Sequence, residues 1–190
     1  MRKALLILSL ILLLPNAPLY ASSAPSAAAD YAKANRLFIA AQYKEALPLY
    51  KSVLVYPPDN TPASDINTKI GDCYYHLGVY TSAIEAYRKA LRTQDRVGQP
   101  VTRYWIGFCY FLLGRDEQAV SEFLKIPELY PEAGMWVGTA YYWSGRACER
   151  LGWKDQARAY YSKAGGNGKT TQGRFALKKA EAVGRSQSSK

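Results

Sequence analysis

A thiol and an imidazole stand three residues apart at Cys73 and His76, and His76 is the chain's single histidine. On a helix, residues at i and i+3 share a face, the spacing from which a thiolate nucleophile and its base are built. No third group that would orient the imidazole is evident, so Cys73 reads as a small core residue and His76 as a helix end facing solvent. Gly165-Gly166-Asn167-Gly168-Lys169-Thr170 closes like a phosphate loop. It lacks the upstream glycine and the preceding strand that such a loop requires, and it reads as a linker. Cys73, Cys109 and Cys148 are odd in number and widely spaced, which suits neither a disulfide framework nor a zinc or haem site. No catalytic residue, metal or cofactor is expected, and the chain is not read as an enzyme.

The remaining chemistry is aromatic and cationic. Among 190 residues, 48% hydrophobic, there are 16 Tyr against five Phe. Tyr suits half-buried surfaces, where its ring packs and its hydroxyl stays wet. The formal charge is +10, or +8 without Arg2 and Lys3, and part of the excess sits where Arg174, Lys178, Lys179, Arg185 and Lys190 face only Glu181. A plain solvated basic surface accounts for this, and anionic wall polymer, lipid headgroups or an acidic protein are the alternatives. Nucleic acid is excluded by the N-terminus, which reads as an export signal. Arg2 and Lys3 precede an apolar run from Ala4 to Leu14 broken only by Ser9, then Pro15 and the small residues Ala21, Ser22 and Ser23. The expected cleavage follows Ala21, leaving a periplasmic or secreted chain that does not span the membrane, since a spanning helix needs about 20 apolar residues. A retained anchor is the weaker reading.

What positions these residues is an internal repeat. Ala46, Ala83, Ala119 and Ala157 are spaced by 37, 36 and 38 residues. Twelve residues before each lies Ala34, Gly71, Gly107 and Gly145, and nine before lies Leu37, Tyr74, Tyr110 and Cys148. Five before lies Ala41, Gly78, Gly114 and Gly152. Four after lies Tyr50, Tyr87, Phe123 and Tyr161, and seven after lies Val53, Ala90, Ile126 and Ala164. Spacings of three, four and seven describe one face of a helix. The small columns let two helices cross closely, the large ones fill the space between them, and the Gly78 column ends the first helix. Pro57-Pro58, Pro131 and Gly165-Gly166 close the units.

This small–large–small order, from Ile70-Gly71-Asp72-Cys73-Tyr74 to Ala83-Ile84-Glu85-Ala86-Tyr87, resembles the tetratricopeptide repeat, a helix–turn–helix of about 34 residues. The units are similar to those of bacterial periplasmic members that accompany envelope assembly. Here each unit is longer by a few residues, and the first has Ala41 where the family has Gly. The expected fold is all-α: a right-handed α-solenoid of about four hairpins over 27–168 (27–60, 63–97, 99–133 and 134–168). A flexible stretch, 22–26, precedes it; a solvating cap helix at 169–184 and a disordered tail at 185–190 follow. Helices are predicted at 28–41, 43–56, 63–77, 80–93, 99–113, 116–129, 133–151, 154–164 and 170–184, with Pro48 bending the second.

The resemblance implies that the first helix of each hairpin lines a groove. Its groove positions are Tyr31, Asn35 and Phe38; Thr68, Asp72 and Tyr75; Tyr104, Phe108 and Phe111; and Tyr142, Arg146 and Glu149. Aromatics and Arg at such positions mark binding surfaces. The family's basic clamp for C-terminal carboxylates is absent from these positions. Trp105 and Trp143 occupy equivalent places and are expected to pack between hairpins, with Met135 and Trp136 on the surface. The expected function is an adaptor or scaffold of the bacterial cell envelope that binds an extended segment of an envelope protein. A self-associating structural subunit and an accessory protein binding peptidoglycan glycan are the alternatives.

Overall fold

The computed structural model describes residues 26–188 except 167 and 169. The predicted signal segment and its cleavage point, with 22–25 and 189–190, lie outside the described residues. Nine helices fill the described chain: α1 (Ala27–Ile39), α2 (Tyr43–Val55), α3 (Ala63–His76), α4 (Tyr80–Leu91), α5 (Gln99–Leu112), α6 (Asp116–Leu129), α7 (Met135–Arg150), α8 (Lys154–Gly165) and α9 (Thr171–Ser188). Each packs on the next, and α5 also touches α7, so four hairpins stack into an α-solenoid closed by α9.

The repeat columns account for this packing. Tyr50, Tyr87, Phe123 and Tyr161 are fully buried, each crossing the small residue of its own hairpin. A Cβ on Gly71 would lie 2.5 Å from Tyr87, one on Gly107 2.7 Å from Phe123 and one on Gly145 2.9 Å from Tyr161. The core forms two clusters, one from the first two hairpins and one running from α4 to α9, with Tyr74 packed against both.

Each first helix ends in the same backbone closure. Gly78, Gly114 and Gly152 have φ of 75°, 73° and 76°, and in the first copy Ala41 takes φ 59°. The N–H after each, on Gln42, Val79, Arg115 and Trp153, donates at 2.9 Å to the carbonyl of Leu37, Tyr74, Tyr110 and Cys148. A left-handed conformation costs a residue with a Cβ about 1–2 kcal/mol, part of which Gly returns as lost chain entropy. Ala41→Gly is therefore expected to stabilise the first hairpin by about 0.5–1 kcal/mol, and Gly78→Ala to weaken the second by a similar amount. Urea midpoints of the two variants check this; a lowered midpoint for Ala41→Gly would contradict it.

Two expectations change. The last helix runs to Ser188 rather than ending at 184, so 185–188, expected in the disordered tail, are helical; Ala176, Ala180 and Val183 keep one face of the helix buried on the array. Trp136 is half-buried rather than on the surface, its ring 5.3 Å from Tyr104, while Met135 is exposed as expected.

Candidate functional site

The odd-numbered helices lie side by side and present their aromatic residues as a continuous series. From the first hairpin, Phe38 stands edge-on to Tyr43 at 5.3 Å and to His76 at 6.1 Å. His76 stacks flat on Tyr43 at 4.2 Å with 4° between the planes, linking the first two hairpins. Tyr75 then meets Trp105 at 4.9 Å and Phe108 at 6.2 Å. Phe108 lies 5.7 Å from Tyr104 and 4.7 Å from Trp143. Tyr142 carries the series to Phe175 on α9 at 6.0 Å. Trp105 and Trp143 thus bridge adjacent hairpins, as their equivalence in sequence implied.

The predicted groove residues divide by environment. Tyr31, Phe38, Tyr75, Tyr104, Phe108 and Tyr142 are half-buried, the state in which an aromatic both packs and stays reachable. Phe111 is buried, 8% exposed, and is corrected to a core residue: Trp143 closes over it and the Arg150 guanidinium sits 4.1 Å above its ring. Asn35 and Asp72 are engaged inside their own hairpins. The Tyr50 hydroxyl donates to Asn35 Oδ1 at 2.7 Å, and the Tyr87 hydroxyl donates to Asp72 Oδ1 at 2.8 Å. In the third hairpin Phe123 and Phe108 replace that pair, so donor and acceptor are lost together. In the fourth, Arg146 offers no acceptor, and the Tyr161 hydroxyl turns to Glu149 Oε2, one helical turn on.

Charge gathers around that carboxylate. Arg146 Nε and Lys179 Nζ each lie 3.7 Å from Glu149 Oε2, which places two cations against one anion at this end of the face. At the other end Lys69 Nζ stands 4.6 Å above Phe38 and 3.9 Å from Asp72 Oδ2. Burial raises the Asp72 carboxyl above its ordinary range, against the lowering effect of the Tyr87 hydrogen bond. Burial also pushes the Tyr104 phenol up to about 12, so at neutral pH it is a neutral hydrogen-bond donor.

The thiols are placed for packing. Cys73, Cys109 and Cys148 are fully buried. Burial pushes Cys73 and Cys109 up to about 12 and Cys148 to about 11, so all three stay protonated and make poor nucleophiles. Among the described residues no group of three or more His, Cys, Asp or Glu is placed to hold a metal. No helix among them is long and apolar enough to cross a membrane.

Sequence reasoning missed Phe175, Lys179 and the Tyr43–His76 stack. Phe175 was findable: it stands 33 residues after Tyr142, near the repeat length, but α9 was read only as a solvating cap.

A solenoid of helical hairpins with a shared aromatic face defines a repeat protein of the interaction type. Three tetratricopeptide repeat profiles match, at residues 23–97, 102–133 and 138–164. Together they cover well over half of the chain, which belongs to the tetratricopeptide repeat family; none of these profiles describes an enzyme. Among solved structures, the apo form of RapI is similar with a TM-score of 0.71 and 16% identity, over 86% of this chain and 64% of RapI. MamA is similar with a TM-score of 0.59 and 20% identity, over 83% of this chain and 97% of MamA. The Rap conjugation gene regulator of plasmid pLS20, solved in complex with the Phr* peptide, matches with a TM-score of 0.56 and 17% identity, over 73% of this chain and 41% of that one. At these identities the likeness shows the fold. No curated protein sequence matches the chain.

Proposed function

We propose that this chain is a non-catalytic scaffold of the bacterial cell envelope that docks an extended segment of an envelope protein along the face of its odd-numbered helices. The observation that carries the reading is the half-buried aromatic series Tyr75, Tyr104, Phe108 and Tyr142, joined through Trp143 and continued by Phe175, which crosses successive hairpins. Such a series offers rings from successive hairpins to an extended chain, and Arg146 and Lys179 favour an acidic group at one end. The regulator of plasmid pLS20 holds a peptide on a related fold, which supports the same use here. Export to the envelope rests on the order of residues 1–21.

The test places a photo-crosslinking phenylalanine at Tyr104 and, separately, at exposed Glu117 on α6. A protein adduct formed at position 104 and not at 117, in cells that make the protein, is the expected result. Equal adducts at both positions, or none at either, would remove the docking face. An adduct with a second copy would instead establish self-association, a reading favoured by Ile39 at 84% and Phe175 at 52% exposure on the first and last helices.

A further inference from the structure

The chain's positive charge is concentrated at one end. Residues 26–153 hold 14 Lys and Arg against 13 Asp and Glu, so the first three hairpins and α7 are close to neutral. Residues 154–188 hold eight against two. A basic composition serving solubility alone would be spread over the array; this one is confined to α8, the loop after it and α9.

The architecture brings four of these cations, Arg158, Arg174, Lys178 and Arg185, to one region of the surface. On α9, Arg174, Lys178, Glu181 and Arg185 stand at i, i+4, i+7 and i+11, one stripe of the helix, and all four are exposed. Lys178 stands three residues after Phe175, as Gly145 stands three after Tyr142 and Gly107 three after Tyr104. At those earlier positions glycine admits the ring of the next helix. At this position α9 carries a lysine, which is exposed. Beside the stripe, an open groove of about 620 Å³ between α8 and α9 is lined by Arg158, Ser162, Leu177, Gly184 and Arg185, with Glu181 as its one acid. Arg158 runs across Gly184, within 3.5 Å of where a Cβ would stand.

The geometry points to this terminal face as a docking surface for an anionic lipid bilayer, with phosphate headgroups against Arg158, Lys178 and Arg185. Charge complementarity is what selects that occupant. The stripe carries no large apolar side chain, whereas the centre of a stable protein interface is apolar. A bilayer surface asks only for clustered cations and rewards each by about fivefold in binding. Two large apolar groups lie nearby: Leu177, half-buried in the wall of the groove, and Phe175, which rests on Tyr142 on a different side of α9. The inference is independent of what the aromatic face binds.

The test uses the chain from Ser22, which keeps all nine helices and drops the apolar leader that would itself enter lipid. Sedimentation with vesicles of phosphatidylglycerol in phosphatidylcholine, and of phosphatidylcholine alone, compares three proteins. These are the unaltered chain, the triple variant Arg158→Gln, Lys178→Gln, Arg185→Gln, and a second triple, Lys44→Gln, Lys51→Gln, Lys89→Gln, removing equal charge from α2 and α4. The unaltered chain and the second triple are expected to bind the anionic vesicles alone, with affinity falling as salt rises. The first triple is expected to bind about a hundredfold more weakly. Equal weakening in both triples would overturn the surface in favour of net charge, and so would unchanged binding in the first. Tighter binding to soluble polyglutamate than to vesicles would overturn the lipid and assign the face to an acidic protein.

Discussion

Gly107→Leu is expected to unfold the third hairpin while leaving the first two folded. The Cβ alone would stand 2.7 Å from Cδ1 and Cε1 of Phe123, and both residues are buried at the crossing of α5 and α6. Phe123 has no free direction in which to yield, being fully buried among Ile106, Cys109, Ala119 and Ile126 in one cluster. Overpacking of a filled core costs about 1–3 kcal/mol for a few added methylenes, and here a whole side chain is added. In a linear array such a loss is local, because each hairpin contacts only its neighbours. Amide exchange should therefore accelerate through α5 and α6 while α1 and α2 keep their protection. Gly138→Ala is the matched control. Its Cβ meets only the Ala164 carbonyl at 3.8 Å, so the change should stabilise α7 by about 0.5–1 kcal/mol, the ordinary helix preference for Ala. Destabilisation by both substitutions alike would mean that helix propensity and not the crossing decides.

The fold was legible because the repeat multiplies each weak local signal. A single Gly in a helical stretch says little, but Gly71, Gly107 and Gly145 in register, each followed sixteen residues later by a ring, specify a crossing. The Gly78 column likewise fixed where the first helix of each hairpin ends, and even Ala41 obeyed it at the cost of a positive φ. Only the end of the final helix escaped, because its period is a helix's own, with no second copy to show how far it continues.

The candidate face was legible only as a set of positions. Which of them stay available depends on partners that lie on other helices and cannot be seen along the chain. Asn35 and Asp72 looked like groove residues because nothing in their own helix used them, yet the hydroxyls of Tyr50 and Tyr87 take them up fifteen residues away. The coupled change to Phe108 and Phe123 in the third copy was the visible trace of that pairing. Phe111 failed for a related reason: its cover, Trp143 and Arg150, comes from the following hairpin.

Arg150→Ala should loosen the junction between the third and fourth hairpins by about 2 kcal/mol, more than its partly exposed position suggests. Arg150 makes three contacts at once across that junction. Its Nε lies 3.1 Å from Asp116 Oδ2, its Nη1 donates to the Phe111 carbonyl at 3.0 Å, and its guanidinium covers the Phe111 ring at 4.1 Å. Asp116 sits at the start of α6, 9% exposed, and its Oδ1 has no protein partner. Removing the arginine leaves that carboxylate nearly buried with no counter-ion, and such an uncompensated charge costs more than the pair contributes. The solvent reaching Arg150 itself, 39% exposed in its side chain, keeps the expected loss below that of a fully buried pair. The double variant Asp116→Ala with Arg150→Ala separates the two effects, since it removes both charges and their desolvation together. It is expected to recover part of the stability lost by Arg150→Ala alone, measured by urea unfolding and by amide exchange in α6 and α7. If the double variant loses the sum of the single losses, Arg150 acts through the Phe111 ring and carbonyl alone, and the ion pair is incidental to the junction.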